Sequence, residues 1–487
     1  MNQQKFDEFE VIFHPKSIAV VGTTRKKVSG PNILFDNMHK SGFQGNIYPV
    51  NPSGDEILGV KSYPRVSDIP EPVDYVLIGV PARAIPGVID NLTGRGVKVI
   101  SVFTAGFSEV GTSEGRRLEE ELVQKARKSG IRVIGPNCLG VIYNSSIKLA
   151  SVDMGLPYKR TAEIGSVGII AQSGGVALRT SSMALARGMP LSKVVSYGNG
   201  SDLDGVDYLE YFAADPDTEI IGLYIEGLKD GRRLFQLLRQ VCQTKPVVML
   251  KGGRTEAGAE VAASHTGSLA TSYSVWKAMS KQLGVILVEN QDEFVDTLLA
   301  FYCLGEFKGQ NVGFISSFTD GGGGDSVAAA DIFSSHGFEV PPFSEKTRTL
   351  LQSILPAEGT ILRNPLDASL VMADLKLLED IIGNLADDSR IDMVVFHEYL
   401  RELLGGTSNK ETAHNLNDIF IRLNNRQSKP VVAVSASGFP TSPEQWEIER
   451  QLVAAKVPVY RSQEAAARAI ARVRQYYHFR ESINNNL

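Results

Sequence analysis

Short runs of aliphatic residues recur along the chain, each closed by glycine, proline or asparagine and followed by a mixed polar stretch of helical length. Runs that are apolar at every position, rather than at alternate ones, mark strands buried on both faces of a parallel sheet. In the first part of the chain they predict strands over 17–22, 46–52, 74–81, 97–103 and 131–135, with helices over about 32–40 and 115–130. In the middle they predict strands over 165–171, 193–200, 220–225 and 246–251, with an Ala/Ser-rich helix ending near Arg187. Toward the end, 311–318, 391–396 and 430–435 read as strands, and 326–335 and 464–477 as helices. Strand and helix in alternation specify an α/β architecture of mainly parallel sheets. A chain of 487 residues exceeds what one hydrophobic core serves, and the runs divide it into units over 1–150, 160–306 and 308–487.

Composition narrows the class without naming a function. With 43% hydrophobic and 22% charged residues the chain has the balance of a water-soluble globular protein, and a net charge of -5 gives no reason to expect nucleic acid as a partner. Cys138, Cys242 and Cys303 are scattered, so neither a disulfide framework nor a cysteine zinc site is indicated, as suits a reducing cytoplasm. The opening MNQQKFDEFEVIF lacks the basic flank and apolar run of a signal peptide, and no stretch is long and apolar enough to span a membrane. A cytoplasmic protein without a membrane partner is expected. Asp202, Asp204 and Asp207 crowd together after a strand, but acidic residues at a helix start are ordinary dipole partners, and no metal site is assigned.

The candidate chemistry sits in the turns that follow the strands. Gly22-Thr23-Thr24-Arg25 follows the first strand and leads into a helix, an arrangement in which backbone N–H groups and the helix dipole receive a phosphate. Asn51-Pro52, Pro81, Ala105-Gly106 and Asn137 end later strands of what reads as a Rossmann-like sheet. A nicotinamide dinucleotide is disfavoured, because G-x-G-x-x-G is missing and Asn51 stands where an acidic residue would bind the ribose; a non-redox nucleotide such as coenzyme A fits better. Each turn taken singly also reads as a plain tight connection. In the second unit, Gln172-Ser173-Gly174-Gly175 repeats the phosphate-cradle logic with Ser173 as a natural N-cap, although a capped helix needs no ligand. Glu226 ends a buried strand on the edge where open α/β sheets gather ligands, and reads either as a solvated strand end or as the partner of an imidazole. The imidazole is His265, in VAASHTGSLA, whose small neighbours leave room for a group to reach a ring that is nucleophilic near pH 7.

Together these motifs resemble one family. HPKSIAVVG, GNIYPVNP, TAGFSEVG, GIRVIGPNCLG, AQSGGVA, YIEGLKDGR and KGGRTEAGAEVAASHTGSLA follow the order seen in the alpha subunit of NDP-forming acyl-CoA synthetases, the superfamily of ADP-forming acetate:CoA ligase and succinyl-CoA synthetase. The resemblance implies a CoA-binding Rossmann-like domain followed by two ligase domains of flavodoxin-like type, the second unit carrying a phosphohistidine loop. It implies that His265 becomes phosphorylated, that Glu226 supports it, and that Gln172, Ser173, Gly174 and Gly175 hold phosphate. The turns at Gly22, Thr23, Thr24, Arg25, Asn51, Pro52, Pro81, Ala105, Gly106 and Asn137 match the CoA-binding edge. The implied reaction converts a small carboxylic acid, CoA and ATP to acyl-CoA, ADP and phosphate through an acyl phosphate, with the histidine relaying the phosphoryl group. No ATP-grasp domain is found, so ATP/ADP and Mg2+ are expected on a separate ATP-grasp beta subunit in a hetero-oligomer. The third unit departs from the family in its glycine turn, Gly321 to Gly324, flanked by Asp320 and Asp325; acidic flanks repel phosphate, which favours a structural or subunit-contact role there. His397 reads as a satisfied strand-end histidine. A non-catalytic CoA-binding regulatory or scaffold protein of the same fold is the alternative, against which the retained His265, Glu226 and Ser173 count.

Overall fold

The computed structural model describes residues 1–25, 30–40, 42–144, 164–266, 272–316, 322–355, 362–367, 374–398, 410–426, 429–435 and 443–485, without the side chains of 263–266, 322, 398 and 410–413. The segment 267–270 of the histidine motif and 317–321 of the glycine turn therefore lie outside the described residues. Three sheets carry the fold, each with helices between its strands. Among the described residues, those up to Phe294, apart from 186–189, make one compact unit that holds the first two sheets; those four residues and the described chain from Val295 make the other.

The first sheet is parallel throughout, in the order β2-β1-β3-β4-β5, with β1 Ser17–Val21, β2 Asn46–Val50, β3 Tyr75–Ile78, β4 Val99–Val102 and β5 Arg132–Ile134. Every residue of β1, β3 and β4 is buried, as runs without alternation require. One helix over its face, Ser113–Lys128, shows how local sequence fixes an end. Thr112 accepts the Gly115 N–H at 3.0 Å, Glu114 stands in the first turn, and Lys125, Arg127 and Lys128 complement the dipole in the last.

The second sheet runs β11-β10-β9-β7-β8-β6, with β6 Gly140–Tyr143, β7 Val167–Ala171, β8 Leu191–Ser196, β9 Ile220–Ile225, β10 Val247–Lys251 and β11 Ile286–Val288. Five of these strands are parallel, and β6 is antiparallel to β8. The sequence reading passes over β6, because Gly-Val-Ile-Tyr directly after a Pro-Asn turn looks like the tail of the preceding connection. It passes over the helix Gln3–Phe13 as well. Phe9 and Phe13 of that helix stack on Tyr211 with ring centroids 5.1 Å apart in both cases, and Asn2 caps it through the Lys5 N–H. Asp204 and Asp207 form a reciprocal capping box on the helix Gly205–Ala214, while Asp202 pairs with Arg132 at 2.8 Å.

The third sheet, in the other compact unit, is parallel in the order β13-β12-β14-β15-β16, with β12 Val312–Ser316, β13 Leu366–Asp367, β14 Met393–Glu398, β15 Val431–Ser435 and β16 Val459–Tyr460. Ile315, Val394, Phe396, Val431 and Ala433 pack there with Leu378, Ile381, Leu416 and Phe420 from its helices. The described part of the glycine run is not a turn: Gly322 to Gly324 open the helix Gly322–Ser335, a conformation that glycine can adopt although it does not favour it. No described helix is long and apolar enough to cross a membrane.

Candidate functional site

Strand ends of the first sheet supply one wall. Gly22 has φ +100, and a Cβ there would lie 2.6 Å from the Gly79 carbonyl oxygen, so the ends of β1 and β3 approach as only glycine allows. Asn51 donates its side-chain amide to the Thr23 carbonyl, and Thr23 Oγ1 donates to Val50 O at 3.2 Å. Asn32 brackets Thr24, accepting its N–H at 2.8 Å and donating to its carbonyl at 2.6 Å. Arg25 is exposed and pairs with Asp55 at 2.7 Å. Asn51 is thus a brace for the first turn, a use that its side-chain amide explains better than ribose recognition does.

The next turn is held by a carboxylate that the sequence reading overlooks. Glu109 accepts the N–H of Gly106 at 2.5 Å and of Phe107 at 3.1 Å, and it accepts Asn199 Nδ2 at 2.7 Å. Burial pushes its carboxyl up, but the Asn199 amide and the two backbone N–H groups outweigh that and hold it below the usual carboxylate range. The bond from Asn199 to Glu109 ties the turn after β8 to the turn after β4, and Asn199 also donates to Glu119 of the helix Ser113–Lys128 at 2.8 Å. The Gly106 N–H is therefore engaged within the protein, and Gly106 serves by its φ of +106.

The second sheet supplies the opposite wall. Ser173 precedes the helix Gly174–Ala186 and accepts the Val176 N–H at 3.4 Å, while a Cβ on Gly175 would meet only Ser173 Oγ at 4.0 Å. The helix start is thus open at Gly175, while Leu139 stands against Gly174, and the open backbone there suits an anion. Gln172 plays a different part from a phosphate ligand: its Oε1 accepts the N–H groups of Glu226 at 2.8 Å and Gly227 at 3.1 Å, clipping the end of β9 to the end of β7. Tyr224 donates its hydroxyl to Glu226 Oε1 at 2.9 Å, and Lys251 Nζ donates to the Glu226 carbonyl at 2.7 Å. Burial lowers the Lys251 ammonium pKa, with Glu226 opposing the shift. His265 lies in the last turn of the helix Glu256–Thr266, which Thr255 opens by accepting the Gly258 N–H at 3.1 Å. The loop expected around His265 is therefore helical up to Thr266, since Ala-rich sequence favours a helix. Its ring is among the side chains not described.

Both walls meet in one pocket of about 680 Å³. Of the predicted residues, Pro81, Ala105, Asn137, Gln172, Ser173, Gly174, Gly175 and Glu226 line it; Gly22, Thr23, Thr24, Arg25, Asn51, Pro52 and Gly106 do not. Val80, Phe103, Thr104, Leu139 and Asn199 line it unforeseen. The Cys138 thiol, also at the wall, is pushed up to about 11 by burial and is therefore no nucleophile near neutrality.

Comparison with known proteins settles the kinship of this arrangement. A CoA binding domain model matches residues 16–144, and a succinyl-CoA ligase like flavodoxin domain model matches 164–301. The alpha subunit of the ADP-forming acetate–CoA ligase II of Pyrococcus furiosus is 34% identical over 469 residues, 96% of this chain and 97% of its own. The chain belongs to the ADP-forming acetate–CoA ligase family. Another member, the ADP-forming acetate–CoA ligase I of Archaeoglobus fulgidus, is 37% identical over 387 residues, covering 79% of this chain and 54% of its own, so the chain spans about half that ligase's length. Among solved structures of the family, a Ca. Korarchaeum cryptofilum dinucleotide forming acetyl-coenzyme A synthetase 1, in complex with phosphate and ADP, superposes with a TM-score of 0.80 at 30% identity, over 98% of this chain and 99% of that one. Family membership accounts for the turn motifs and the mainly parallel sheets together.

Proposed function

We propose that the chain is the CoA-binding, phosphoryl-carrying alpha part of an ADP-forming acyl-CoA synthetase. The supporting observation is the shared pocket: the strand ends of a CoA binding domain and the Ser173-capped helix with Glu226 line a single cavity of about 680 Å³. In this reading, the carboxylate of a small acid attacks the phosphoryl group carried by His265, forming an acyl phosphate and leaving the imidazole. The CoA sulfur then attacks the acyl carbon, the carbon–oxygen bond to phosphate breaks, and acyl-CoA and phosphate leave. Ser173, Gly174 and Gly175 receive phosphate at the helix start, where the dipole offsets its charge. Glu226 fixes the imidazole. Pro81, Ala105 and Asn137 flank the thiol end of CoA, and the turns at Gly22–Arg25 and Asn51 its nucleotide end. ATP and Mg2+ belong to an ATP-grasp partner in a hetero-oligomer.

The test uses the purified chain with a separately prepared ATP-grasp subunit and ATP labelled in its γ-phosphate. Acid-labile, base-stable label is expected on the wild-type chain and none on His265→Ala. In the same preparations CoA raises the thermal midpoint of both, about 2.7 kcal/mol of added stability at a hundredfold excess over Kd, and NAD does not. Equal labelling of the variant, or stabilisation by NAD alone, overturns the reading.

A further inference from the structure

Glu226 is gripped at each of its polar ends: Gln172 takes its N–H, Lys251 its carbonyl, and Tyr224 its carboxylate. The first two set the backbone, and the third acts on the group that the chemistry uses. Tyr224 precedes Glu226 by two residues at the end of β9, so both side chains rise from one face of the sheet. The neighbouring strand end is shaped around the pair. A Cβ at Gly252 would stand 2.8 Å from the Tyr224 hydroxyl and 3.1 Å from Glu226 Cγ, so a side chain at 252 would displace one or both. Burial, reinforced by Glu226, also raises the Tyr224 phenol, which keeps it a donor at every working pH.

We propose that Tyr224 is a positioning residue: its hydroxyl fixes Glu226 through Oε1 in the orientation that serves the phosphorylated histidine, and Gly252 is glycine to leave that pair its space. The proposal rests on His265 being the phosphoryl carrier. A single hydrogen bond to a charged acceptor is involved, so its loss slows the dependent step about tenfold and leaves CoA binding alone.

The experiment treats the full-length chain with phosphoramidate, a small phosphoryl donor that needs neither nucleotide nor acyl substrate, and follows the phosphate on the His265 peptide by mass spectrometry. Wild type labels and His265→Ala does not; a wild type that stays unlabelled overturns the carrier reading and the proposal with it. Tyr224→Phe labels about tenfold slower, and Gly252→Ala is slowed in the same direction. Tyr224→Phe combined with Glu226→Gln is no slower than Glu226→Gln alone, because the tyrosine acts only through the glutamate. The thermal shift with CoA stays at the wild-type value in Tyr224→Phe. Tyr224→Phe labelling at the wild-type rate, or the two substitutions multiplying in full, refutes the role while leaving the carrier reading intact.

Discussion

Glu109→Gln tests whether one carboxylate holds the turn after β4 at the wall of the pocket. In the wild type that carboxylate receives the Gly106 and Phe107 N–H groups and Asn199 Nδ2. The amide keeps the shape and one acceptor oxygen, but it turns its own N–H groups toward these donors. Each bond from a neutral donor to a charged acceptor contributes about 1.5–3 kcal/mol, part of which survives in the amide, and the group is half-buried, so a local loss of about 2 kcal/mol is expected. That loss speeds hydrogen exchange of the Gly106 and Phe107 amides about thirtyfold and weakens CoA about three- to tenfold, read by exchange mass spectrometry and titration calorimetry. The pH dependence supplies an independent arm. Glu109 has a folded-state pKa below its ordinary 4.5, so its stabilisation is complete above that value and is lost as pH falls through the folded one. Wild-type protection of the turn therefore holds from pH 7 down to about 4.5 and decays as pH falls further, whereas the variant, already unprotected, changes little over the same range. Exchange within twofold of wild type at pH 7 would refute the assignment.

Two further outcomes follow from buried groups. Arg187 donates to Asp296 at 2.6 Å, to Glu449 at 3.0 Å and to the Val459 carbonyl, all within the second compact unit; Arg187→Met leaves two buried carboxylates short of a partner and costs that unit about 3–5 kcal/mol. Urea unfolding followed through Trp446 in a Trp276→Phe background measures it, and a loss under about 1 kcal/mol contradicts the network's role. Because burial holds the Cys138 thiol at about 11, the native protein at pH 7.5 is expected to leave Cys138 unalkylated by iodoacetamide while CoA binding persists in Cys138→Ala; rapid native alkylation would show that the wall opens.

The parallel core was legible because buried strands declare themselves as unbroken apolar runs: 17–22 and 220–225 fall on β1 and β9 within a residue. Strands such as β11, β13 and β16, two or three residues long, carry too little pattern to separate from loop. Turn residues were legible as candidates but not as roles. Asn51 and Gln172 looked like ligand contacts, yet their amides complete backbone hydrogen bonds at strand ends, and a sequence does not say which way an amide is spent. Glu109 and Asn199 were hidden for the opposite reason. Each is an ordinary polar residue in a glycine turn, and their pairing joins positions 90 apart in the chain.

Sheet order sets a crevice at the corresponding place in each sheet. Numbering only the parallel strands of each sheet, and so leaving out the antiparallel β6, all three run 2-1-3-4-5, so connections leave the first strand in opposite directions and open a crevice between the ends of the first and third. In the first sheet that crevice lies between Gly22 and Gly79, where a Cβ at Gly22 would stand 2.6 Å from the Gly79 carbonyl oxygen. In the third it lies between Ser316 and His397, and the imidazole there is committed to the fold, with Nδ1 3.1 Å from Gln463 Nε2 and 3.5 Å from Asp325. In the second it lies between Gln172 and Glu226. One winding repeated three times yields three crevices, and in the second a helix start that suits an anion stands beside a carboxylate that accepts a hydrogen bond from Tyr224.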